Sequence, residues 1–378
     1  MKKQKICIVG DGLTGLTTAL ILSKLNVSVD IVSKKNSVKK FVDNRTTAIS
    51  EDNYFFLLNY LNIHRPKEFW ESKEIDLYYE KLNQHYHFMN FKNNNKTLMY
   101  IIENKKLKNI LLENIKKEKN ISIIKKEVKN VSLDDTAIFL GNKKYNYDLV
   151  ILCSGKGSKI VTKLVGKRII EENSGEIAIT AVIEHKLKLA NAKQYFLKEG
   201  PLAILPISKK KFSYVWSVDK KQSSVGIKNF VSKKLRKILN TKETFISTQP
   251  TIFPISFKFN TNFFRKNFLV LGEGIYNVHP VAGQGFNLII RDIRELSNRI
   301  EKNIKLGFQI KDSFLLKKFM TSRKPENFLF GIGVNLTNKF FKNDKSTTFL
   351  KDIILKDINK FKFLKDLSLK ISNTGIFK

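Results

Sequence analysis

The chain has 378 residues, 42% of them hydrophobic and 11% aromatic, and a formal net charge of +35. These values are those of a globular chain and exclude a disordered or fibrous one. Because the lysines are spread along the whole sequence and no basic block is interleaved with aromatic residues, we interpret the charge first as a compositional bias and predict no nucleic-acid partner.

The cysteines, histidines and hydrophobic runs set further bounds. Cys7 and Cys153 lie in apolar, strand-like runs, which predicts reduced cysteines in the core. The histidines have no cysteine or acidic partners at metal-ligand spacing, so no metal site is predicted. No apolar run reaches the ~18 residues of a membrane-spanning helix. The sequence therefore predicts a cytoplasmic protein whose membrane contact, if it has one, is peripheral, on the inner face of the cytoplasmic membrane.

The N-terminus has the pattern of a dinucleotide-binding βαβ unit. Apolar strands over 5–9 and 27–32 flank a glycine-rich turn and a helix with one apolar face. Ser33 stands where such units carry an acid for the adenosine ribose, and it offers only a weaker, uncharged bond. The residues expected to bring a pyrophosphate to the helix N-terminus are Gly10, Gly12, Leu13, Thr14 and Gly15.

Arg45 precedes a predicted helix over 51–61. This side chain can reach a phosphate or the edge of a flavin, or it can lie on the surface, and the local sequence alone favours a surface arginine. Beyond it, alternating apolar and polar residues predict two antiparallel strands over 75–91. The elements predicted next are a helix over 103–117, a strand over 121–125 and a hairpin around 141–142.

A buried strand over 147–153 ends at Ser154 and Gly155. Its Gly-rich exit resembles that of the first strand, and such exits on one sheet would form a single cofactor cleft. From 176 to 254 the alternation predicts a second, antiparallel sheet inserted between the nucleotide-binding segments. From 311 onward the chain is basic, helical and rich in phenylalanine; most of these rings are predicted to be core, with an exposed subset forming a lipid-facing patch.

The rest of the chain is organised around residues 268–288. An apolar strand from Phe268 ends at a Gly-Glu-Gly turn, which leaves the Glu273 carboxylate at the C-terminal edge of a parallel sheet. After Pro280, small residues precede a helix whose unpaired N–H groups face the turn. This pairing fits a flavin, with its ribityl hydroxyls on Glu273 and its reduced ring at the helix. An ordinary strand–turn–helix corner is the alternative.

Six motifs together resemble one known family. They are Gly10-x-Gly-x-x-Gly15, Arg45-x-x-Ala48-x-Ser50, Ala192-x-Gln-x-Phe196, Gly200-Pro-Leu-Ala-Ile-Leu-Pro206, Val215-Trp216-Ser217 and Gly272-Glu-Gly-x-x-x-x-His279-Pro-x-Ala-Gly-Gln-Gly-Phe-Asn287. In this order and spacing, over nearly the whole chain, the sequence resembles the ubiquinone-biosynthesis hydroxylases, a branch of the class A flavoprotein aromatic monooxygenases. The motif from His279 to Asn287 is the most specific.

The resemblance implies an α/β fold, in which a Rossmann-like FAD-binding domain carries an inserted antiparallel β-sheet substrate domain and a C-terminal helical region. It implies that NAD(P)H reduces the FAD and that a C4a-hydroperoxide formed with O2 hydroxylates the ring of a polyprenylated phenol in ubiquinone biosynthesis. The implied segments are FAD-binding 1–72, 101–174 and 261–310, substrate domain 73–100 and 175–260, and C-terminal helices 311–378.

The resemblance also implies residue roles and partners. Backbone N–H groups of the catalytic turn would stabilise negative charge on the flavin. The partners implied are a prenylated phenol and O2, with a membrane surface and subunits of a quinone-biosynthesis complex as further candidates. The catalytic residues are Pro280, Gly283, Gln284 and Gly285. The cofactor-binding residues are Gly10, Gly12, Leu13, Thr14, Gly15, Ser33, Arg45, Ser154, Gly155, Gly272, Glu273, Gly283, Gly285, Phe286 and Asn287.

The sequence departs from the family pattern at two positions. Ser154 replaces an aspartate of the strand-exit motif, and Ser33 replaces the ribose-binding acid. These losses leave two alternatives open: a flavin-poor scaffold subunit of a quinone-biosynthesis complex, and another FAD-dependent oxidoreductase of lipid substrates. The intact turn after Pro280 argues against a scaffold, which has no need of it.

Overall fold

The computed structural model describes residues 3–34, 43–62, 67–93, 96–155, 158–166, 169–223, 226–243, 245–277, 285–341 and 362–376. The helices of this part of the chain are α1 (Leu13–Ser23), α2 (Glu51–Leu58), α3 (Asn104–Ile115), α4 (Lys159–Val165), α5 (Ile227–Ile238), α6 (Gly285–Lys305), α7 (Ser313–Phe341) and α8 (Lys362–Thr374). Short 3-10 turns span Lys220–Ser223 and Gly272–Gly274.

The strands of the same residues, in chain order, are β1 (Gln4–Val9), β2 (Val27–Val32), β3 (Thr46–Ser50), β4 (Trp70–Ser72), β5 (Glu74–Lys81), β6 (Gln84–Lys92), β7 (Met99–Glu103), β8 (Ile121–Ile124), β9 (Val128–Ser132), β10 (Ala137–Leu140), β11 (Lys143–Asn146), β12 (Leu149–Leu152), β13 (Ile169–Glu184), β14 (Ala192–Leu197), β15 (Gly200–Ser208), β16 (Lys211–Asp219), β17 (Ile246–Ser247), β18 (Thr251–Asn260), β19 (Phe264–Arg265), β20 (Phe268–Val270) and β21 (Tyr276–Asn277).

The first layer is a sheet with the strand order β19-β20-β12-β1-β2-β8. From β20 to β8 neighbouring strands are parallel, and β19 is antiparallel to β20. The strands read as near-continuous apolar runs because α1, α3 and α6 bury them within one large core. Chain order reverses between β1 and β12, and at such a switch point the carboxyl ends of parallel strands leave a crevice for ligands.

The second layer is a long sheet with the order β21-β18-β13-β16-β15-β14-β5-β6, to which β17 adds beside β13. Its pairs are antiparallel except for β14 with β5. Apart from the two-residue strand β21, which follows β20, the strands come from two stretches of the chain that lie between strands of the parallel sheet. The sheet is therefore inserted, and its β13 begins at Ile169, before the predicted segment boundary at 175. The domain boundaries themselves stay a prediction.

Two small antiparallel sheets complete the strands, β3-β7-β4 and β11-β10-β9. The hairpin predicted around 141–142 corresponds to β10 and β11. The sheet β3-β7-β4 has no counterpart among the predicted elements. It lies between the two layers, because Ala48 and Met99 of this sheet pack against residues of the long sheet.

A buried polar network holds α7 against α6. Asp292 accepts hydrogen bonds from the Tyr276 hydroxyl at 2.7 Å, from Arg323 Nε at 2.6 Å and from Asn327 Nδ2 at 3.0 Å. Burial raises the pKa of Tyr276 well above its usual value, and the charge of Asp292 acts in the same direction. The tyrosine therefore remains a hydrogen-bond donor to the carboxylate.

Candidate active site

Two glycines of the first turn are fixed by close backbone contacts. Gly10 has φ +120°, and a Cβ there would lie 2.6 Å from the Cys153 carbonyl oxygen. A Cβ on Gly15 would lie 2.0 Å from the Gly10 carbonyl oxygen. These contacts press the ends of β1 and β12 and the start of α1 together, which only glycine permits.

The N-terminus of α1 is open to a ligand. Gly12 is the N-cap, no side chain caps the helix, and nothing lies within 4 Å of the position that a Gly12 Cβ would take. The first N–H groups of the helix, from Leu13 and Thr14 onward, have no acceptor within the helix, and they lie at the positive end of the helix dipole. This open cradle at the switch point fits the pyrophosphate of a dinucleotide.

A cavity of about 170 Å³ adjoins the same turn, and its lining includes Gly10, Ser33 and Ser154. Lys125, which follows β8, donates to Ser33 Oγ at 2.9 Å and to Asp11 Oδ2 at 2.7 Å. Burial is the largest single effect and would raise the pKa of Asp11, but the hydrogen bond from Lys125 together with the charges of Lys125 and Lys108 and a hydrogen bond from Ser33 lowers it. The expected ribose-binding acid is thus replaced by a serine, a lysine and an aspartate from three separate elements.

The exit of β20 lies beside the first turn. A Cβ on Gly272, which has φ +78°, would meet the Thr14 side chain at 3.0 Å. Glu273 is exposed, so its carboxylate is available to a ligand. The parallel alignment of β1, β12 and β20 thus brings the three predicted glycine-rich exits to one edge of one sheet.

The Arg45 side chain forms an ion pair with Asp43. Its Nε and Nη2 donate to the two carboxylate oxygens of Asp43, each at 2.8 Å. These hydrogen bonds raise the pKa of Arg45 against the effect of burial, and the nearby charge of Glu273 acts in the same direction. Asp43 therefore fixes the guanidinium in place, a pairing that was not predicted from the sequence.

The start of α6 is anchored by Asn287, which is buried. Its Oδ1 accepts from the Ser50 N–H at 2.9 Å and from Asn53 Nδ2 at 3.1 Å, and its Nδ2 donates to the Ala48 carbonyl at 3.0 Å. The anchor ties the helix N-terminus to β3 and α2. The side chain therefore positions the helix, and its expected contact with the cofactor stays a prediction.

The remaining predicted residues are placed as follows. Ser154 and Gly155 follow β12, and Gly285 and Phe286 form the first turn of α6. Pro280, Gly283 and Gln284 lie outside the described residues. The roles assigned to all of these residues stay predictions.

An open helix N-terminus at the switch point of a parallel sheet, beside a cavity that adjoins the glycine-rich turn, defines a dinucleotide-binding α/β protein. The chain belongs to the FAD binding domain family, whose model matches residues 3–307. FAD is therefore the cofactor, as predicted, and the open cradle of α1 fits it.

The similar proteins include the mitochondrial ubiquinone biosynthesis monooxygenase COQ6 of Dictyostelium discoideum, 24% identical over 341 residues that cover 74% of this chain and 69% of that protein. Ubiquinone hydroxylase UbiL of Rhodospirillum rubrum is 26% identical over 205 residues, 52% of this chain and 47% of that protein. The 3-demethoxyubiquinol 3-hydroxylase of Escherichia coli is 24% identical over 47% of this chain and 46% of that protein. The matches to the last two span about half of each relative. They confirm the resemblance to ubiquinone-biosynthesis hydroxylases.

Solved structures show the same fold. p-Nitrophenol 4-monooxygenase PnpA from Pseudomonas putida aligns with a TM-score of 0.80 at 16% identity, over 97% of this chain and 96% of that one. A variant of HpxO from Klebsiella pneumoniae, solved with FAD, aligns with a TM-score of 0.76 at 12% identity, over 98% and 99% of the two chains. The predicted fold class, with its FAD-binding layer, antiparallel sheet and C-terminal helices, is confirmed.

Proposed function

We propose that this protein is an FAD-dependent monooxygenase that hydroxylates the aromatic ring of a polyprenylated phenol in ubiquinone biosynthesis, with NAD(P)H as reductant and O2 as the oxygen source. The observation that carries the proposal is the combination of the open α1 N-terminus, the exposed Glu273 at the exit of β20 and the anchored start of α6 in a chain with an inserted sheet. The names of the similar proteins supply the substrate class.

Different residues of this chain bind the different parts of FAD. The turn from Gly10 to Gly15 and the first N–H groups of α1 bind the pyrophosphate. Ser33 and Lys125 hold the adenosine ribose, and Glu273 binds the ribityl hydroxyls. Once reduced by NAD(P)H, bound FAD supplies the activated oxygen.

At the ring end, the N–H groups that open α6 stabilise negative charge at the isoalloxazine. Donors of this kind act most strongly when they are fixed in advance in a site from which water is excluded. Asn287 fixes them by tying the helix to β3. We assign Pro280, Gly283 and Gln284, together with Gly285, to the same turn.

We further propose that the C-terminal helices meet an anionic membrane surface, where a prenylated substrate resides. On α8, Phe363 is 74% exposed and Leu367, one turn later, is 40% exposed. On α7, Leu336 is 58% exposed. No helix of the described residues is long and apolar enough to span a bilayer. Interfacial rings combined with the lysines of these helices suit shallow, reversible contact.

The scaffold alternative has one observation in its favour. Two positions that carry acids in the family, Ser33 and Ser154, are uncharged here, and each lost charged acceptor costs FAD binding ~1–3 kcal/mol. A colourless, folded protein that gains no flavin from excess FAD would support the scaffold. The monooxygenase requires a yellow protein that oxidises NAD(P)H faster when a short-chain substrate such as 2-prenylphenol is added, with a hydroxylated product.

A further inference from the structure

The two faces of the long sheet are covered differently. One face packs under α5, with Ile179, Tyr214 and Trp216 in a closed apolar core. The opposite face carries Val182 and Ala203, which pack against Ala48 and Met99 of β3 and β7. The second face is therefore the one turned toward the FAD-binding layer.

A single row of residues crosses the middle of this second face. Strand pairing places Gln194 beside Ala203, Ala203 beside Val215, Val215 beside Thr180 and Thr180 beside Thr251. Directly paired residues of neighbouring strands point to the same face. The row thus presents small or uncharged side chains and no charge.

Val215 lies at the middle of this row. Its strand β16 is central in the sheet, paired with β13 on one side and β15 on the other, yet Val215 is only half-buried. The flanking positions on the same strand and face, Ser213 and Ser217, are buried. The side chains beside it in the row, Ala203 and Thr180, are small, and we name the surface around Val215 the hollow.

Three buried polar atoms around this hollow have no hydrogen-bond partner within the described part of the chain: Thr180 Oγ1, Ser213 Oγ and Gln194 Oε1. Thr180 and Ser213 are 0% exposed and Gln194 is 4% exposed. Gln194 Nε2 makes only a long contact of 3.4 Å to the Tyr195 carbonyl. An unpaired buried polar group costs ~1–3 kcal/mol, so three around one hollow indicate a ligand that pairs them.

The hollow also lies close to the cofactor end of α6. Ala48 packs against this sheet face, and its carbonyl accepts the hydrogen bond from Asn287 at the start of α6. One short strand, β3, thus separates the row from the helix N-terminus assigned to the flavin ring.

Resting on the proposed function, we infer that the substrate ring lies over Val215 and that Gln194 is its specificity residue, pairing with the phenolic hydroxyl through the side-chain amide. Thr180 and Ser213 line the other sides of the hollow. Because the row offers no cation, the ring it accepts is an uncharged phenol without a carboxylate; an unpaired carboxylate would be desolvated there at high cost.

The test uses the FAD-reconstituted protein and three probes: 2-prenylphenol, its methyl ether and 3-prenyl-4-hydroxybenzoate. Dissociation constants come from the change in flavin absorbance on titration. We expect the wild type to bind the phenol at least tenfold more tightly than either analogue. Gln194→Leu should weaken phenol binding about tenfold and remove the preference over the methyl ether. Gln84→Leu, on the exposed edge strand of the same sheet, is the matched control and should change neither value.

Thermal unfolding distinguishes a binding role from a structural one. If the amide serves a ligand, leucine removes an unsatisfied buried group, and the apo variant melts at the same temperature as the wild type or higher. A marked fall in melting temperature would make Gln194 structural and overturn the inference. Equal affinity for the phenol and the carboxylated analogue would also overturn it.

The outcomes separate the inference from the proposed function. If the wild type hydroxylates 2-prenylphenol and the Gln194 variant binds it equally well, only the inference is wrong. If the wild type neither binds nor oxidises this compound, the proposed function is wrong and the inference with it.

Discussion

Gly12 and Gly15 stand three positions apart in one turn and are glycines for different reasons. The space around Gly15 is filled by the chain itself, since its Cβ would lie 2.0 Å from a backbone oxygen. The space around Gly12 is open, and its φ of −75° suits any residue. We therefore expect Gly12 to be required for ligand binding and Gly15 to be required for folding.

This difference predicts opposite outcomes for two alanine substitutions. Gly15→Ala should lower the free energy of unfolding by ~1–3 kcal/mol, as overpacking does. Gly12→Ala should leave that free energy within ~0.5 kcal/mol of the wild type but weaken FAD binding, because the methyl group occupies the path of the pyrophosphate. Denaturant unfolding of the apoprotein and FAD titration by fluorescence quenching measure the two effects. Normal FAD affinity in the Gly12 variant would place the pyrophosphate elsewhere.

The sequence predicts which residues lie at the site better than it predicts which residues they bond to. Ser33 is expected to offer a weak, uncharged bond, and its hydroxyl does lie at the cavity. Lys125, which bonds to it, could not be found from the sequence, since it comes from a segment 92 positions away that only the sheet order brings alongside. The ion pair between Asp43 and Arg45 could not be predicted, because a separation of two residues matches neither the helix nor the strand spacing of paired side chains.

Among the elements, α6 is distinguished by how its first turn is held. Asn287 satisfies the Ser50 N–H and the Ala48 carbonyl, both in the buried strand β3. Without this amide, two backbone groups and the Asn53 side chain would lose a partner away from water.

We therefore predict that Asn287→Leu lowers the free energy of unfolding by ~2–3 kcal/mol and also weakens FAD binding, since the helix N-terminus loses its fixed position. Asn298→Leu is the control: Asn298 lies on the same helix but is exposed, so both quantities should stay near those of the wild type. Denaturant unfolding and flavin titration give the values. An Asn287 variant with full stability would contradict the anchoring role.

The elements around the parallel sheet are predictable, including the four-residue strand β8, whereas the small sheet β3-β7-β4 is not. The strand β2 matches its predicted range, and the helix predicted over 103–117 is found at Asn104–Ile115. The strands β3, β4 and β7 pair with one another and pack against the long sheet, a tertiary arrangement that no local sequence pattern encodes. The burial of Asp292 on α6 could not be predicted either, because its partners Arg323 and Asn327 lie on α7, more than 30 positions away in the chain.

For the whole molecule, the net charge of +35 has two explanations. A compositional bias requires no partner, whereas a docking surface requires that charge and exposed apolar side chains act together. The exposed pair Phe363 and Leu367 on α8 favours the second for the C-terminal helices.

Liposome flotation separates the two explanations. We expect binding to rise with anionic lipid and to weaken with salt, since each lysine near the surface contributes ~1 kcal/mol within a Debye length. Phe363→Ser should reduce the binding that persists at high salt. Leu82→Ser, which removes a similarly exposed side chain from the β5–β6 turn, should not. Binding that depends on neither lipid charge nor salt would rule out electrostatic docking. It would favour delivery of the substrate by a partner protein.

We propose that the FAD-loaded protein uses O2 to hydroxylate a prenylated phenol. The most direct test of this proposal is one turnover experiment with FAD-loaded protein, NADH or NADPH, 2-prenylphenol and 18O2, with the product analysed by mass spectrometry. We expect a diphenol that carries one 18O atom when the gas is 18O2, and none when only the water is labelled. A flavin-loaded protein that gives no hydroxylated product, or a product whose new oxygen comes from water, would contradict it.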